Sequence, residues 1–440
     1  MTTPRREFLK SAATTFAAAS AIAADNATPV RVAVIGTGNR GIPLLTRVLD
    51  IPWTQVPAIC DSNPEAAARG VDRVITKRRP KPEAYSGSPD AYKRLLDRKD
   101  IDVVIVATPW DWHVPMAVDA MKAGKSVGIE VPAAQTIEDC WKLLETRDKT
   151  GMSCMMLENW AFRRDNLAVL NMIRLGMLGE IVHCHCAHGN DCVGRTPWYF
   201  DRQGNARWGG EHLVAQNRDQ YPTHSLGPVL SWMDINCGDA FDTIISMASR
   251  SLGINHHFAK TLGLDHPAAK RRYAQGDIAT SMIKTKRGNT IVLNNDMQLP
   301  RPYDNRWMIQ GTEGVYSEER NSIYLWKRSP KEHDWEPFPP YQDQFEHAWW
   351  RPIGGGKQTG GDQLAAGHGG TDPLMMYKFL ESIRDKQPTP LSLEDGLTMT
   401  VVSPLSEQSI VGNSKPISFP DFTRGKWKTA KPYYALDRRA

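Results

Sequence analysis

The apolar positions of this chain change rhythm part-way along it. Residues 29–35 (PVRVAVI) read as a buried strand, and 42–49 follow with the spacing of an amphipathic helix. Further apolar runs cover 55–59, 101–108 (IDVVIVAT) and 126–130 (SVGIE), with a helix expected over 113–123. Continuous apolar strands alternating with helices predict a parallel, doubly wound sheet. Beyond about Cys154 the texture differs. Alternating or turn-bounded strand candidates stand at 180–188, 242–249, 280–286, 290–297, 306–310 and 322–327. Lys286-Arg287-Gly288-Asn289 and Gly311-Thr312-Glu313-Gly314 supply hairpin turns between neighbours, so this half predicts an antiparallel sheet. Helical segments over 373–385 and 403–411 close the chain. The Pro-, Gly- and aromatic-rich stretch 337–370 reads as a long functional loop.

The junction between the first strand and helix carries Gly36-Thr37-Gly38-Asn39-Arg40-Gly41. This G-x-G-x-x-G order is the phosphate-binding turn of a dinucleotide fold. Gly36 permits the tight turn, Gly38 lets the backbone approach a pyrophosphate, and Gly41 lets helix and strand pack closely. The free N–H groups of the helix start, around Asn39 and Arg40, face the phosphates. The second strand ends in Cys60-Asp61, with Asp61 25 residues beyond Gly36. A carboxylate there accepts both ribose hydroxyls and repels a 2′-phosphate, which favours NAD over NADP. Ligands of such sheets sit beyond the carboxyl ends of the strands, which here carry Trp110, Asp111, Trp112, His113 and Glu130. The expected fold class is therefore α/β. An N-terminal Rossmann dinucleotide-binding domain (28–156) precedes an α+β domain (157–440) with a large open, mostly antiparallel sheet.

Composition narrows the setting. With 440 residues, 41% hydrophobic and 23% charged, the chain is globular and too long for one ordinary domain. A net charge of +5 without a long basic run argues against nucleic acid as partner. Seven cysteines do not form a complete disulfide framework. Arg5-Arg6-Glu7-Phe8-Leu9-Lys10 and the Ala-rich run after it resemble a twin-arginine export signal, with a processing site near Ala21-Ile22-Ala23. Residues 1–23 are thus expected to be a leader, and the mature protein periplasmic or extracellular. No segment reads as a membrane span.

Several ordered motifs then point to one family. They are Pro109-Trp110-Asp111-Trp112-His113, Gly128-Ile129-Glu130-Val131, Leu157-Glu158-Asn159 with Arg163-Arg164-Asp165, Tyr221-Pro222-Thr223-His224, Arg301-Pro302-Tyr303, and Gly367-His368-Gly369-Gly370. The chain resembles the Gfo/Idh/MocA oxidoreductase superfamily and, within it, glycoside hydrolase family 109, the NAD-dependent α-N-acetylgalactosaminidases. That resemblance implies a glycosidase with resident NAD. Hydride leaves the sugar C3, a base removes the C2 proton, the C1 substituent is expelled, water adds, and the hydride returns. It implies cofactor contacts from Trp110, Trp112, His113, Glu130, Val131, Asn159 and Tyr221. It implies substrate contacts from His188, Tyr221, Pro222, Thr223, His224 and Tyr303, with proton transfer by His224 and support from Tyr221 and Tyr303. Homodimers or higher oligomers through the open face of the sheet are expected. Sugar dehydrogenases of the superfamily usually carry Glu-Lys-Pro where this chain has Glu130-Val131-Pro132, and valine cannot move a proton. A plain NAD-dependent sugar oxidoreductase is the alternative, and it lacks that base here. The chain departs from the family pattern at His188, where a tyrosine is usual, and at Gly209, where an arginine is usual. The sugar preference stays open at both. Glu158, Asp165, Glu211 and Asp219 are all candidate carboxylates for an orthodox hydrolase, and nothing in the sequence separates them. His183, Cys184, His185, Cys186, His188 and Cys192 invite a metal reading. Strand alternation splits them between two faces, so no metal is assigned.

Overall fold

The computed structural model describes residues 29–194, 199–351 and 368–436. The leader expected over residues 1–23, and Gly367 of the glycine-rich motif, lie outside them. Two sheets carry the chain. The first comprises β1 (Val30–Ile35), β2 (Thr54–Cys60), β3 (Glu83–Tyr85), β4 (Val103–Val106), β5 (Ser126–Ile129) and β6 (Cys154–Met156). Its order is β3-β2-β1-β4-β5-β6 and every pairing is parallel. That order reverses direction at β1, which is where a doubly wound sheet opens a crevice for its ligand. All four side chains of β4 are fully buried, because helices cover both faces and leave no polar alternation.

The second sheet holds β7 (Ile181–Gly189), β8 (Phe241–Ala248), β9 (Ile278–Thr285), β10 (Thr290–Asp296), β11 (Met308–Gly311), β12 (Gly314–Ser317), β13 (Ser322–Leu325), β14 (Glu336–Pro337) and β15 (Ile417–Ser418). The two hairpin turns read from the sequence join β9 to β10 and β11 to β12. The sheet is mostly antiparallel, as expected, with one exception at its centre, where β7 and β10 run parallel with His188 beside Asn295. The chain leaves β7, folds the hairpins β8–β9–β10 elsewhere, and returns in the same direction beside it. Hairpin turns report neighbours in sequence only, so this long-range pairing carried no local signal.

Strand alternation sorts the side chains of this sheet. Cys184 and Cys186 are buried on the inner face, while His183 and His185 are only partly covered on the outer one. The outer face also shows Ile245, Met247 and Met282, each exposed. Among the described residues no group of three metal-ligating side chains comes together, and no helix is long and apolar enough to cross a membrane.

A helix from late in the chain returns to the first sheet. Thr371–Arg384 packs against the helix Gly41–Asp50 that follows the glycine turn. Its Asp372 accepts two hydrogen bonds from the Arg40 guanidinium, at 2.7 and 3.0 Å, while Arg40 Nε donates to Glu130 at 2.6 Å. Burial alone lowers a guanidinium pKa, but Glu130 and Asp372 outweigh it and hold Arg40 above its ordinary value. Replacing Arg40 by Met leaves two buried carboxylates without this shared cation. Such a loss typically costs about 3–5 kcal/mol. Urea unfolding of Arg40→Met is expected to show that loss; a change under about 1 kcal/mol would mean that the network does not hold the domains.

Candidate active site

The glycine turn has the shape its sequence demands. Gly36 adopts φ 92°, and a Cβ on it would lie 2.3 Å from the Ala107 carbonyl oxygen. A Cβ on Gly41 would lie 1.8 Å from Gly36 O, so helix and turn are in contact. At Gly38 nothing lies within 4 Å of the Cβ position, which leaves open space beside the turn for a pyrophosphate. Asp61 is fixed at the end of β2 by the backbone N–H groups of Thr37 and Asn63, which donate to it at 2.8 and 2.9 Å. Its carboxylate is thereby aimed at the crevice edge, where a ribose diol fits. Two buried polar atoms farther along the strand ends, Thr108 Oγ1 and Asn159 Oδ1, have no hydrogen-bond partner. These features fit a dinucleotide lying across the strand ends.

Not every expected contact points into that crevice. His113 is buried, with Nδ1 2.8 Å from Pro132 O and Nε2 2.9 Å from Thr108 O. Both neighbours are acceptors, so this ring ties β4 to the loop after β5 instead of forming a cofactor wall. Arg40 likewise spends its guanidinium on Glu130 and Asp372. Val131 is packed in the hydrophobic core, and its N–H donates to the Glu130 carboxylate at 3.1 Å. Asn39 is exposed and Trp112 partly buried. Asn159 donates to Asp372 at 2.8 Å.

Past these strand ends an arc of rings forms the inner wall. Trp110 stacks on Tyr221 with centroids 5.9 Å apart, and Tyr221 meets His224 at 4.8 Å. His188 lies 5.1, 5.3 and 5.6 Å from Tyr221, His224 and Tyr303. Trp160 closes the arc against Tyr303 at 5.7 Å and His224 at 5.9 Å. The structure thus brings together Tyr221, His224, Tyr303 and His188, which stand far apart in sequence. Pro222 and Thr223 are buried beneath them. The short helix Pro222–Leu226 that presents His224 is anchored from below, where Trp307 Nε1 donates to Ser225 O at 2.7 Å. Arg301, paired with Asp296 and Asp304, braces the loop that carries Tyr303.

The decisive partner is a residue that sequence reading could not single out. Glu158 is completely buried, and its two carboxylate oxygens lie 2.8 and 3.0 Å from His224 Nδ1. A carboxylate only accepts, so Nδ1 carries the proton and Nε2 is the nitrogen left for proton transfer. The Trp160 N–H donates to Glu158 at 2.9 Å and fixes the carboxylate in turn. Asp372 and Trp160 are the other site residues missed. Asp372 had one local signal, an acid in the first turn of the helix after Gly369-Gly370.

Burial decides the roles of the other rings. It pushes the Tyr221 hydroxyl well above its ordinary pKa, with Glu130 and Glu158 adding to the effect. Tyr303 is raised chiefly by burial too, against the pull of Arg163. Both phenols therefore stay protonated and act as donors. Burial pushes His188 well below its ordinary pKa, reinforced by His224 and Arg301, so it stays neutral.

A nucleotide-binding parallel sheet, joined to an open sheet whose rings and histidine face its strand ends, defines an NAD-binding oxidoreductase scaffold. Residues 30–158 match the family described as "Oxidoreductase family, NAD-binding Rossmann fold", and NAD is the cofactor. Residues 162–429 match "Glycosyl hydrolase 109, C-terminal domain". A "Glycosyl hydrolase family 109 protein" from Stenotrophomonas maltophilia is 39% identical over 98% of each chain. An "Alpha-N-acetylgalactosaminidase" from Shewanella oneidensis is 38% identical over 92% of this chain and 87% of that one. The chain belongs to glycosyl hydrolase family 109. Among solved structures, levoglucosan dehydrogenase in complex with NADH and levoglucosan is similar, with TM-score 0.67 and 19% identity over 89% of this chain and all of that one. An NAD binding oxidoreductase from Klebsiella pneumoniae gives TM-score 0.67 and 18% identity over 89% and 99%.

Directly before Tyr221 stands a buried acid that the site uses structurally. Asp219 accepts the Tyr221 N–H at 3.1 Å, and burial pushes its carboxyl up to about 7, against the opposing pull of Arg218. Between about pH 4 and 7 the folded chain therefore binds more protons here than the unfolded chain, whose aspartate has an ordinary pKa of about 3.9. Stability is then lost as pH rises through that window, by on the order of a few kcal/mol. Asp219→Asn is expected to flatten the fall between about pH 5 and pH 8 in urea-unfolding free energy. An unchanged pH slope would rule out Asp219 as its source.

Proposed function

We propose that this chain is a glycosidase that opens an α-N-acetylgalactosaminide, or a related hexoside, by transient oxidation and elimination instead of by a carboxylate pair. The observation that carries this reading is the buried Glu158 holding His224 Nδ1 at 2.8 Å among protonated tyrosines, beside the strand ends of an NAD-binding sheet. The relative described as an α-N-acetylgalactosaminidase supports the sugar class. Gly36, Gly38, Gly41, Asp61 and Asn159 would hold NAD across the strand ends, where it would supply a reversible hydride acceptor for the sugar C3.

The chain's own residues handle protons. Tyr221 and Tyr303 donate hydrogen bonds to the C3 oxygen and polarise the ketone, which acidifies the C2 hydrogen. His224 Nε2 takes the C3 hydroxyl proton as the ketone forms and sheds it to solvent. It then takes the C2 proton and passes it to the leaving-group oxygen at C1; on re-reduction it returns a proton to the C3 oxygen. Glu158 stabilises the imidazolium formed meanwhile, the arrangement by which a buried carboxylate supports a histidine base. Water then adds at C1 as a proton returns to C2. The His224 side chain is 12% exposed, so its proton exchanges with solvent between transfers. Val131, buried and apolar, cannot take up the alcohol proton, so that role falls to His224 in either reading, and the fate of the NADH separates elimination from simple oxidation.

Product formed in D₂O is expected to carry deuterium at C2 while keeping its original C3 hydrogen, with no stoichiometric NADH. Glu158→Gln and His224→Ala are each expected to keep NAD binding and lose turnover by ~10²-fold or more. Hydrolysed sugar without C2 deuterium would reject the elimination, and ketosugar with equimolar NADH would establish the dehydrogenase.

We also infer that copies of the chain associate through the outer face of the second sheet. Ile245, Met282 and Val292 lie side by side across β8, β9 and β10 there, with Met247 exposed nearby. Light scattering is expected to give a dimer or larger assembly that Met282→Lys weakens; a wild-type monomer at all concentrations would refute it.

A further inference from the structure

The helix Trp208–Ala215 stands at the solvent side of the ring arc, and the mechanism does not use it. Its first residue, Trp208, is 42% exposed although indole is among the costliest side chains to leave in water. The exposure is not looseness of the backbone. Arg207 N–H donates to Tyr199 O at 2.8 Å, and a Cβ at Gly210 would lie 2.1 Å from the same oxygen. The helix is seated on that segment, and Trp208 is held where it stands. Its ring meets Trp110 edge-on, with centroids 5.2 Å apart. Trp110, only 6% exposed, contacts His212 at 5.2 Å on one side and stacks on Tyr221 on the other. Asp111, with its side chain 67% exposed, lies 3.7 Å from His212 Nε2.

We propose that Trp208, with Asp111, forms an outer sugar subsite that binds the leaving-group side of the glycoside, His212 bracing Trp110 beneath them with its Nδ1 3.1 Å from Gln216 Oε1. A pyranose presents a face of C–H groups and a rim of hydroxyls, which matches an exposed indole next to an exposed carboxylate. The position follows from the depth of the cleft. His188 and Thr223 close its floor at 3% and 0% exposure, so the reacting ring lies inward. Whatever is attached through C1 then points out past Tyr221 and Trp110 toward Trp208. The inference rests on the glycosidase reading above and adds what lies beyond the scissile bond.

The test compares two substrates on holoenzyme: methyl α-N-acetylgalactosaminide and the disaccharide α-N-acetylgalactosaminyl-(1→3)-galactose. Trp208→Ala is expected to raise KM for the disaccharide about tenfold and to leave the methyl glycoside within about twofold, with Trp208→Phe recovering most of the loss. Asp111→Asn is expected to shift the same substrate in the same direction. Equal effects on both substrates, or none, would overturn the subsite. If neither compound is hydrolysed, the glycosidase reading fails, and calorimetric titration decides the subsite separately. Disaccharide binding weakened about tenfold in Trp208→Ala supports it. Unchanged binding, or wild-type protein that binds the disaccharide no more tightly than the methyl glycoside, overturns it.

Discussion

The position of every group in the site depends on one buried guanidinium. Arg40 leaves the glycine turn, reaches Glu130 at the end of β5, and grips Asp372 at the start of a helix some 330 residues later in the chain. Asn159, beyond β6, joins through the same Asp372. A planar fork with five donors is suited to two carboxylates held at fixed angles, where a lysine would make only a point contact. Because these charges are buried, each is tolerable only while its partners stay in place. The network therefore fixes the glycine turn, the end of β5, Asn159 and the start of the late helix in one geometry.

That seam is where the chemistry is assembled. The parallel sheet offers strand ends, glycine backbone and Asp61; the open sheet and its short helix offer His224, Tyr221, His188 and Tyr303. Glu158 belongs to the first half by sequence and to the second by contact, since it follows β6 and holds His224. Burial then separates the roles. It keeps two phenols protonated and His188 neutral, which leaves His224, held by the Glu158 carboxylate, as the group suited to moving a proton.

The nucleotide half was legible because its signals are local: apolar runs, three spaced glycines and an acid at a fixed offset. Motifs likewise gave Tyr221, His224 and Tyr303. Contacts across long sequence distances were not legible. Glu158 and His224 are 66 positions apart, and nothing in either neighbourhood distinguishes Glu158 from Asp165 or Glu211. The parallel pairing of β7 with β10 is invisible for the same reason. The His113 ring and the Arg40 guanidinium flank the right turns and are both engaged by protein partners, because the polarity that marks a ligand site also marks a buried tie. Only the direction of the hydrogen bonds tells the two apart.

The likeness to solved sugar dehydrogenases at under 20% identity concerns the scaffold. At the end of β5, Val131 is packed into the core as an apolar residue, and the Glu130 carboxylate is taken up by Arg40 and the Val131 N–H. That strand end is part of the frame and offers no base beside Glu130. In the mechanism proposed above, proton transfer therefore belongs to His224, on a helix across the seam. A hydride acceptor and a base for the alcohol proton serve oxidation and elimination alike; what elimination adds is that the base must also reach the hydrogen on C2.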